Sequence, residues 1–561
     1  MIKERTYLQS HYKTLIDEGI DPVLARILAS RGISSARAHE MTLANLLPID
    51  NLMHCGLAAK VILDAITSKS KICIVADYDA DGATACALGI SVLRKLGADV
   101  SYFVPDRQKH GYGLTPEISR LVSRMDTKLL ITVDNGIASV SGVDTAKELG
   151  MTVLITDHHL PAEKLPKADC IVNPNQPNDA FQSKNLAGVG VMFYVLIALR
   201  QLMITRNLIS KASALNLADY LDLVALGTIA DVVPLDQNNR ILVSNGLRRM
   251  RLGKTRPGIR ALFSVANRQL ENARTGDLGF SIGPRLNAAG RLDDMRVGIE
   301  CLLAENELQA QQLATQLDNL NIERREIEKD MTEQALDSVR LEKLNEVNGV
   351  VIYDERWHPG VVGILASRIK DKIKKPTIAF ANSDQETIKG SGRSTKGIHL
   401  RDTLDEITKK DPDLIIKFGG HAAAAGLEIE KSKLDYFSRK FDDVVSTVLQ
   451  NTDMDSDDFT DGELSADKLT TEFAQSLSHI PWGQSFPEPT FQNEFEVVSQ
   501  KLLKDAHLKL ILRFPNTETE FDAIYFNQRE FARDRIKCIY RVDTNDFYKH
   551  RPLQLIVNQW F

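Results

Sequence analysis

The residues with the clearest chemical potential are Asp77-Tyr78-Asp79-Ala80-Asp81-Gly82, directly after the apolar run ICIVA. In an extended segment residues i, i+2 and i+4 point to one side, so the three carboxylates converge. Such convergence is costly unless divalent cations neutralise it. An EF-hand also begins D-x-D-x-D-G, but here Leu88 stands where a bidentate Glu is needed and the preceding element reads as a strand. Two further runs end in similar chemistry. LLITV leads into Asp134-Asn135-Gly136, and TVLIT leads into Asp157-His158-His159. Asp231, in GTIADVVPL, is a fourth candidate that alone reads as a turn or cap residue. Aspartate oxygens with imidazole and no thiolate suit Mn²⁺ or Mg²⁺ better than zinc. So many carboxylates predict two ions sharing a bridging ligand, the arrangement used for phosphoryl transfer.

Basic and glycine-rich segments supply candidate phosphate contacts. Arg107, Lys109 and His110, followed by Tyr112, offer charge and a stacking ring. Between Asp236 and Glu271 lie eight bases (Arg240, Arg248, Arg249, Arg251, Lys254, Arg256, Arg260 and Arg268) and no acid, which predicts a phosphate-tracking surface over a merely solvated helix face. Arg285 and Arg291 flank GPRLNAAGR, read as a small-residue loop. Gly390-Ser391-Gly392-Arg393-Ser394 and Gly419-Gly420-His421 are read as glycine-rich backbone able to cradle an anion, although glycine loops are also common as plain turns. Trp357, before His358-Pro359-Gly360, is read as packing.

The elements that must position these groups follow from periodicity. A chain of 561 residues implies three or four domains. ICIVA, VSYFV, LLITV and TVLIT alternate with helix-like stretches, which predicts an α/β fold with a doubly wound parallel sheet. The carboxyl ends of its strands would line one crevice. Residues 304–345 read as one connecting helix, ~60 Å long at ~1.5 Å per residue. A smaller α/β region follows over 346–450, and then an acidic linker at 451–463. Over 464–561 the period changes to two, predicting a small β-barrel or sandwich. Residues 1–303 would form the first domain with an N-terminal extension.

Composition excludes some classes. Hydrophobic residues at 43% and charged residues at 26% rule out a collagen-like or wholly disordered chain. Six scattered cysteines without a C-x-x-C pair read as reduced core residues of a cytosolic protein. The N-terminus lacks a signal-peptide core, and the apolar stretch 186–199 is short for a bilayer at ~20 residues. A cytoplasmic protein without a membrane partner is expected. The net charge of −6 argues against a nucleic-acid partner only as a sum, because the acids gather at the metal motifs and the linker.

DYDADG, VDNG, DHH and ADVVPL, in this order, resemble the motifs of the DHH phosphoesterase superfamily. With GPRLNAAGR, GSGRS and GGHAAAAG they resemble the RecJ single-stranded-DNA exonucleases, from about residue 45 to the end. The resemblance implies a DHH domain, a DHH-associated (DHHA1) domain and an oligonucleotide-binding (OB) barrel. It implies hydrolysis of single-stranded DNA from the 5′ end to mononucleotides, in recombination and repair. Asp77, Asp79 and Asp134 would hold one Mn²⁺ or Mg²⁺, and Asp81, Asp134, His158 and Asp231 the other, with Asp134 bridging. His159 would face the scissile phosphate. Arg107, His110, Tyr112, Arg285, Arg291, Ser391, Arg393, Gly419, Gly420 and His421 would bind the strand. A single-stranded-DNA-binding protein and a helicase are the implied partners of a monomer. The rival readings are a small-substrate DHH phosphoesterase, such as an oligoribonuclease or nucleotide phosphatase, and a non-catalytic DNA-binding scaffold. The intact acidic motifs speak against the scaffold.

Overall fold

Apolar β-branched runs bounded by Asp, Asn or Gly become strands buried on both faces. In the computed structural model, which describes residues 2–106, 113–211, 214–338, 346–450, 458–545 and 552–561, the chain forms two compact units. The first comprises Met1–Gly290, Asp294–Gln316 and Asp457–Phe561. The second comprises Arg291–Asp293 and Leu317–Ser456.

The first unit begins with a short strand, β1 (Ile2–Glu4), and centres on a five-stranded sheet: β2 (Ile72–Ala76), β3 (Val100–Phe103), β4 (Leu129–Val133), β5 (Thr152–Thr156) and β6 (Cys170–Val172). The order is β3-β2-β4-β5-β6 and every pair is parallel. The chain leaves β2 for β3 on one side and returns to β4 on the other. The ends of β2 and β4 therefore form the switch point where such sheets open a crevice. Register completes the alignment. Ala76 lies opposite Val133, and Val133 opposite Thr156, so Asp77, Asp134 and Asp157 emerge at one level.

Helices Cys55–Thr67, Ala80–Lys95, Gly188–Thr205 and Val140–Glu148 pack on the sheet, and helix Leu221–Ala230 packs on Ala80–Lys95 and Gly188–Thr205. Helix Gly188–Thr205 is the one described helix long and apolar enough to cross a membrane, and it is mostly buried inside this unit. It works as a core helix.

The second unit holds β7 (Val350–Tyr353), β8 (Thr377–Asn382), β9 (Thr387–Arg393), β10 (Lys417–Gly420) and β11 (Ala424–Glu430). They form a mixed sheet in the order β10-β11-β9-β8-β7, with only β7 and β8 parallel. Its core packs Phe380, Phe437 and Phe441 against Ile378, Leu404 and Val445. Trp357 is buried in a second cluster with Val361 and Leu365, as packing requires. The long helix runs Glu307–Ser338, ~48 Å at ~1.5 Å per residue, and passes from the first unit into the second after Gln316.

A short strand, β12 (Asp458–Thr460), precedes a closed barrel of β13 (Phe491–Leu503), β14 (His507–Arg513), β15 (Glu520–Tyr525), β16 (Arg535–Thr544) and β17 (Leu553–Trp560). Its order, β13-β14-β15-β17-β16, contains one parallel pair, β15–β17, the signature of a Greek-key closure rather than a meander.

The expected acidic linker needs correction at its end. β12 pairs with β1, and Asp461 is buried against Arg31 at 2.6 Å, with Arg31 also donating to Pro487 O. The described end of the acidic run is thus not a free linker, since strand pairing and the buried Arg31 guanidinium tie it to the first unit. Residues 451–457 lie outside the described residues.

Candidate metal centre

Three strand ends and one helix end deliver the candidate groups. Past β2, Asp77 and Tyr78 lead into helix Ala80–Lys95, whose N-cap is Asp79. Its Oδ1 accepts from Asp81 N at 2.9 Å and Gly82 N at 3.0 Å. Asp134 caps β4 with φ 62°, a left-handed conformation that Asp and Asn tolerate better than other non-glycine residues. Asp231 ends helix Leu221–Ala230.

The ligand-capable atoms fall into overlapping groups, each with atoms within 4.8 Å of one another: Asp77, Asp79 and Asp134; Asp81, His158 and Asp231; and Asp134, His158 and His159. His158 Nε2 lies 3.1 Å from Asp134 Oδ1, 3.4 Å from Asp231 Oδ2 and 3.9 Å from Asp81 Oδ2. Asp134 thus belongs to both sides.

The electrostatics are those of a cation site. Burial, then Asp81, Asp79, Asp231 and Asp77, push the Asp134 carboxyl well above its usual range. Burial and Asp81 do the same to Asp231. Burial and Asp79 raise Asp81 to about 7. Asp134 Oδ1 is buried without a hydrogen-bond donor. Two glycines keep the space open: a Cβ on Gly188 would meet Asp134 Cβ at 2.6 Å, and one on Gly227 would meet Asp81 Oδ1 at 2.8 Å. Crowded, buried carboxylates with an imidazole and no thiolate fit a hard divalent cation.

The first Asp of the DHH motif does different work. Asp157 is buried and accepts from Ile137 N at 2.9 Å, His159 N at 3.1 Å and His159 Nδ1 at 2.7 Å. Burial alone would lower His159, but the bond to Asp157 and the surrounding carboxylates hold it up at about 9. Burial would raise Asp157, yet His159 and His158 hold it below its usual range.

Several positioning residues escaped the motif reading. Asn173 Nδ2 donates to His159 O at 2.9 Å, and Asn175 Nδ2 donates to His158 O at 2.6 Å. Both sit in the N-P-N turn after β6, a strand end like the others and thus a usable signal. Asn287 Oδ1 accepts from Ala80 N at 2.8 Å. Asn287 lies inside GPRLNAAGR, a motif read for its flanking arginines and small residues rather than for this side chain.

Some substrate readings change. GPRLNAAGR is helix Gly283–Leu292, not a loop. Its small residues allow close packing, and a Cβ on Gly290 would collide with Tyr78 O. Arg285 is buried and donates to Ser281 O at 2.7 Å, and Arg291, in the second unit, donates to Gly360 O at 3.3 Å. Gly390-Ser391-Gly392-Arg393 belongs to β9, paired on both sides, so its backbone amides serve the sheet and cannot cradle an anion. Gly390 and Gly392 make room for Phe380 and Leu400. Ser391 and Arg393 meet through Oγ and Nη1 at 3.1 Å. Gly419 and Gly420 lie on the edge strand β10, and His421 opens the hairpin to β11, its N–H donating to Ala424 O at 2.7 Å. Arg107, Lys109, His110 and Tyr112 lie outside the described residues.

The basic run is largely internal wiring. Arg240 is buried 4.2 Å from the Phe486 ring centroid, Arg249 pairs with Asp219, Arg256 with Asp222 and Arg260 with Glu307, and Arg251 donates to Ala273 O. The missing acids lie elsewhere in the chain. Arg268, though exposed, pairs with Asp277 at 3.6 Å, and Arg248 and Lys254 are exposed.

A doubly wound sheet carrying carboxylates and paired histidines at its switch point, with a separate mixed-sheet unit and a barrel, defines a phosphoesterase of the DHH class. Matching family models describe the DHH family N-terminal domain over residues 71–228, the DHHA1 domain over 346–447 and the RecJ OB domain over 460–559. The single-stranded-DNA-specific exonucleases RecJ of Salmonella typhimurium and Escherichia coli are 45% and 44% identical, each aligned over 96% of both chains. The structure of Thermus thermophilus RecJ in complex with Mn²⁺ matches with a TM-score of 0.82 at 26% identity, covering 100% of this chain and 79% of that one. The Mg²⁺ complex of that protein matches at 0.77 and 25%, covering 99% and 78%. The chain belongs to the RecJ family of single-stranded-DNA-specific exonucleases.

Proposed function

We propose that this chain hydrolyses single-stranded DNA from the 5′ end to 5′-mononucleotides, in recombination and DNA repair. The observation that carries the reading is the set of overlapping ligand groups at the sheet's switch point, with Asp134 among Asp77 and Asp79 and also 3.1 Å from His158 of the Asp81–His158–Asp231 group, in a chain aligned over 96% of its length with a RecJ relative. The RecJ OB domain model over 460–559 favours this over a small-substrate phosphoesterase.

In this reading Asp77, Asp79 and Asp134 hold one ion, and Asp81, Asp134, His158 and Asp231 hold the other. Bound Mn²⁺ or Mg²⁺ supplies Lewis acidity, lowering the pKa of water and neutralising phosphate charge. The chain's own groups do the rest. His159, its Nδ1 engaged by Asp157, directs its ring at the scissile phosphate and offsets negative charge there. Asn173 and Asn175 hold the two histidines by their carbonyls. Arg107, His110, Tyr112, Arg285, Arg291, Ser391, Arg393, Gly419, Gly420 and His421 bind the strand, the arginines and Ser391 through side chains. The chain works in the cytoplasm as a monomer beside a helicase and a single-stranded-DNA-binding protein.

The test uses 5′-labelled and 3′-labelled single strands, each with Mn²⁺ or EDTA. Mononucleotide released first from the 5′ label, only with metal, is expected. Release first from the 3′ label, or hydrolysis in EDTA, would overturn the reading.

A further inference from the structure

The segment after Asp277 makes one wide π-helical turn, Leu278–Ile282, before helix Gly283–Leu292. Such turns insert an extra residue, cost stability and recur at functional sites. Here Leu278, Ser281 and Ile282 are buried, while Phe280 is 83% exposed.

The turn is seated on the helix end that carries Asp231. A Cβ on Gly279 would touch Ile229 Cγ2 at 3.4 Å, and one on Gly283 would lie 3.1 Å from Ala230 Cβ. Further along, Asn287 and Gly290 meet the Asp77–Asp81 segment. One continuous segment therefore spans the metal centre from the Asp231 side to the first motif, with Phe280 projecting at its Asp231 end. Val232, the residue after Asp231, is 64% exposed. Arg268, at the neighbouring Ser281 (Nε to Oγ 3.4 Å), is paired with Asp277 at 3.6 Å, so no net charge accompanies the ring.

We infer that Phe280 stacks on a nucleobase of the strand being cleaved, setting how firmly that strand is held at the centre; this rests on the exonuclease reading above. A phenyl ring left in water contributes nothing to the core, whereas every base offers a π-face without regard to sequence. The turn presents a single ring flanked by glycine and buried residues, the footprint of one base rather than of a protein partner.

The test measures binding in EDTA and kcat/KM with Mn²⁺ for wild type, Phe280→Ala and Phe280→Trp. The substrates are a 5′-labelled oligo-dT and the same strand with abasic residues along its 5′ half. On oligo-dT, Phe280→Ala should lose about 10-fold in affinity and in kcat/KM, the size of one stacked base, and Phe280→Trp should restore both. Abasic substitution should weaken wild type by a similar factor and leave Phe280→Ala little changed. An Ala variant within two-fold of wild type on oligo-dT, or an abasic penalty equal in both proteins, overturns the stacking role while leaving the exonuclease reading intact. Wild type inert toward oligo-dT with Mn²⁺ overturns both.

Discussion

Asp134→Asn should make the metal-free protein more stable while removing its response to metal and its activity. Asn tolerates the left-handed backbone at φ 62° and nearly matches Asp in shape, so the change is one of charge alone. Oxygens of Asp77, Asp79 and Asp134 lie within 4.8 Å of one another. At that spacing a pair of carboxylates repels by about 3 kcal/mol at an effective dielectric of about 20. Partial protonation relieves some of this at neutral pH, so a gain of about 2 kcal/mol in EDTA is expected. Because burial and neighbouring carboxylates raise Asp134, Asp231 and Asp81 in the folded state, wild-type stability without metal falls as pH climbs from the usual carboxylate range through about 7. The advantage of the Asn variant should grow over that window. With Mn²⁺ at about 100 times its Kd, wild type gains about 2.7 kcal/mol and the variant little. Thermal denaturation followed by fluorescence, in EDTA and in Mn²⁺ at pH 5, 6, 7 and 8, reads all of these. A variant less stable than wild type in EDTA across that range, or one stabilised by Mn²⁺ as wild type is, would refute the assignment of Asp134 as a shared ligand.

Removing the bond from Asn287 to Ala80 N should loosen the first motif without touching a ligand, so Asn287→Ala is expected to weaken Mn²⁺ binding about 10-fold or more, read by titration calorimetry. Arg31→Ala leaves buried Asp461 with only Arg5, at 4.0 Å, and should cost about 3 kcal/mol, exposing the barrel's attachment to limited proteolysis at lower temperature than in wild type. All six cysteines are buried, and burial pushes the thiols of Cys55, Cys73, Cys170, Cys301 and Cys538 up to about 12. A colorimetric disulfide reagent should therefore label the native protein far more slowly than the urea-unfolded chain, and equal rates would contradict the buried placement.

Much of the centre was legible in the chain because of where its ligands sit. Asp77, Asp134 and Asp157 each follow directly on an apolar run, and parallel register carries three such ends to one level. Strand period and strand ends are local properties, so the sheet, its crevice and its aspartates could be read from residue types alone. The change to period two announced the barrel in the same way.

Other features depended on contacts distant in sequence. Asp231 looked like a plain helix end until helix Leu221–Ala230 packed across the helix after the first motif. The eight bases of 237–270 looked like a DNA path because the partners of five of them, Asp219, Asp222, Asp277, Glu307 and Phe486, lie outside the run. The G-S-G-R segment looked like an anion loop until pairing on both edges used its amides. Sequence by itself determined which groups could bind metal and which elements end beside them, because strand periodicity and side-chain chemistry are short-range. The tertiary structure alone decided which charges are neutralised internally, which glycines clear space and which side chains, Phe280 among them, are left facing water, because each depends on residues that only folding brings into contact.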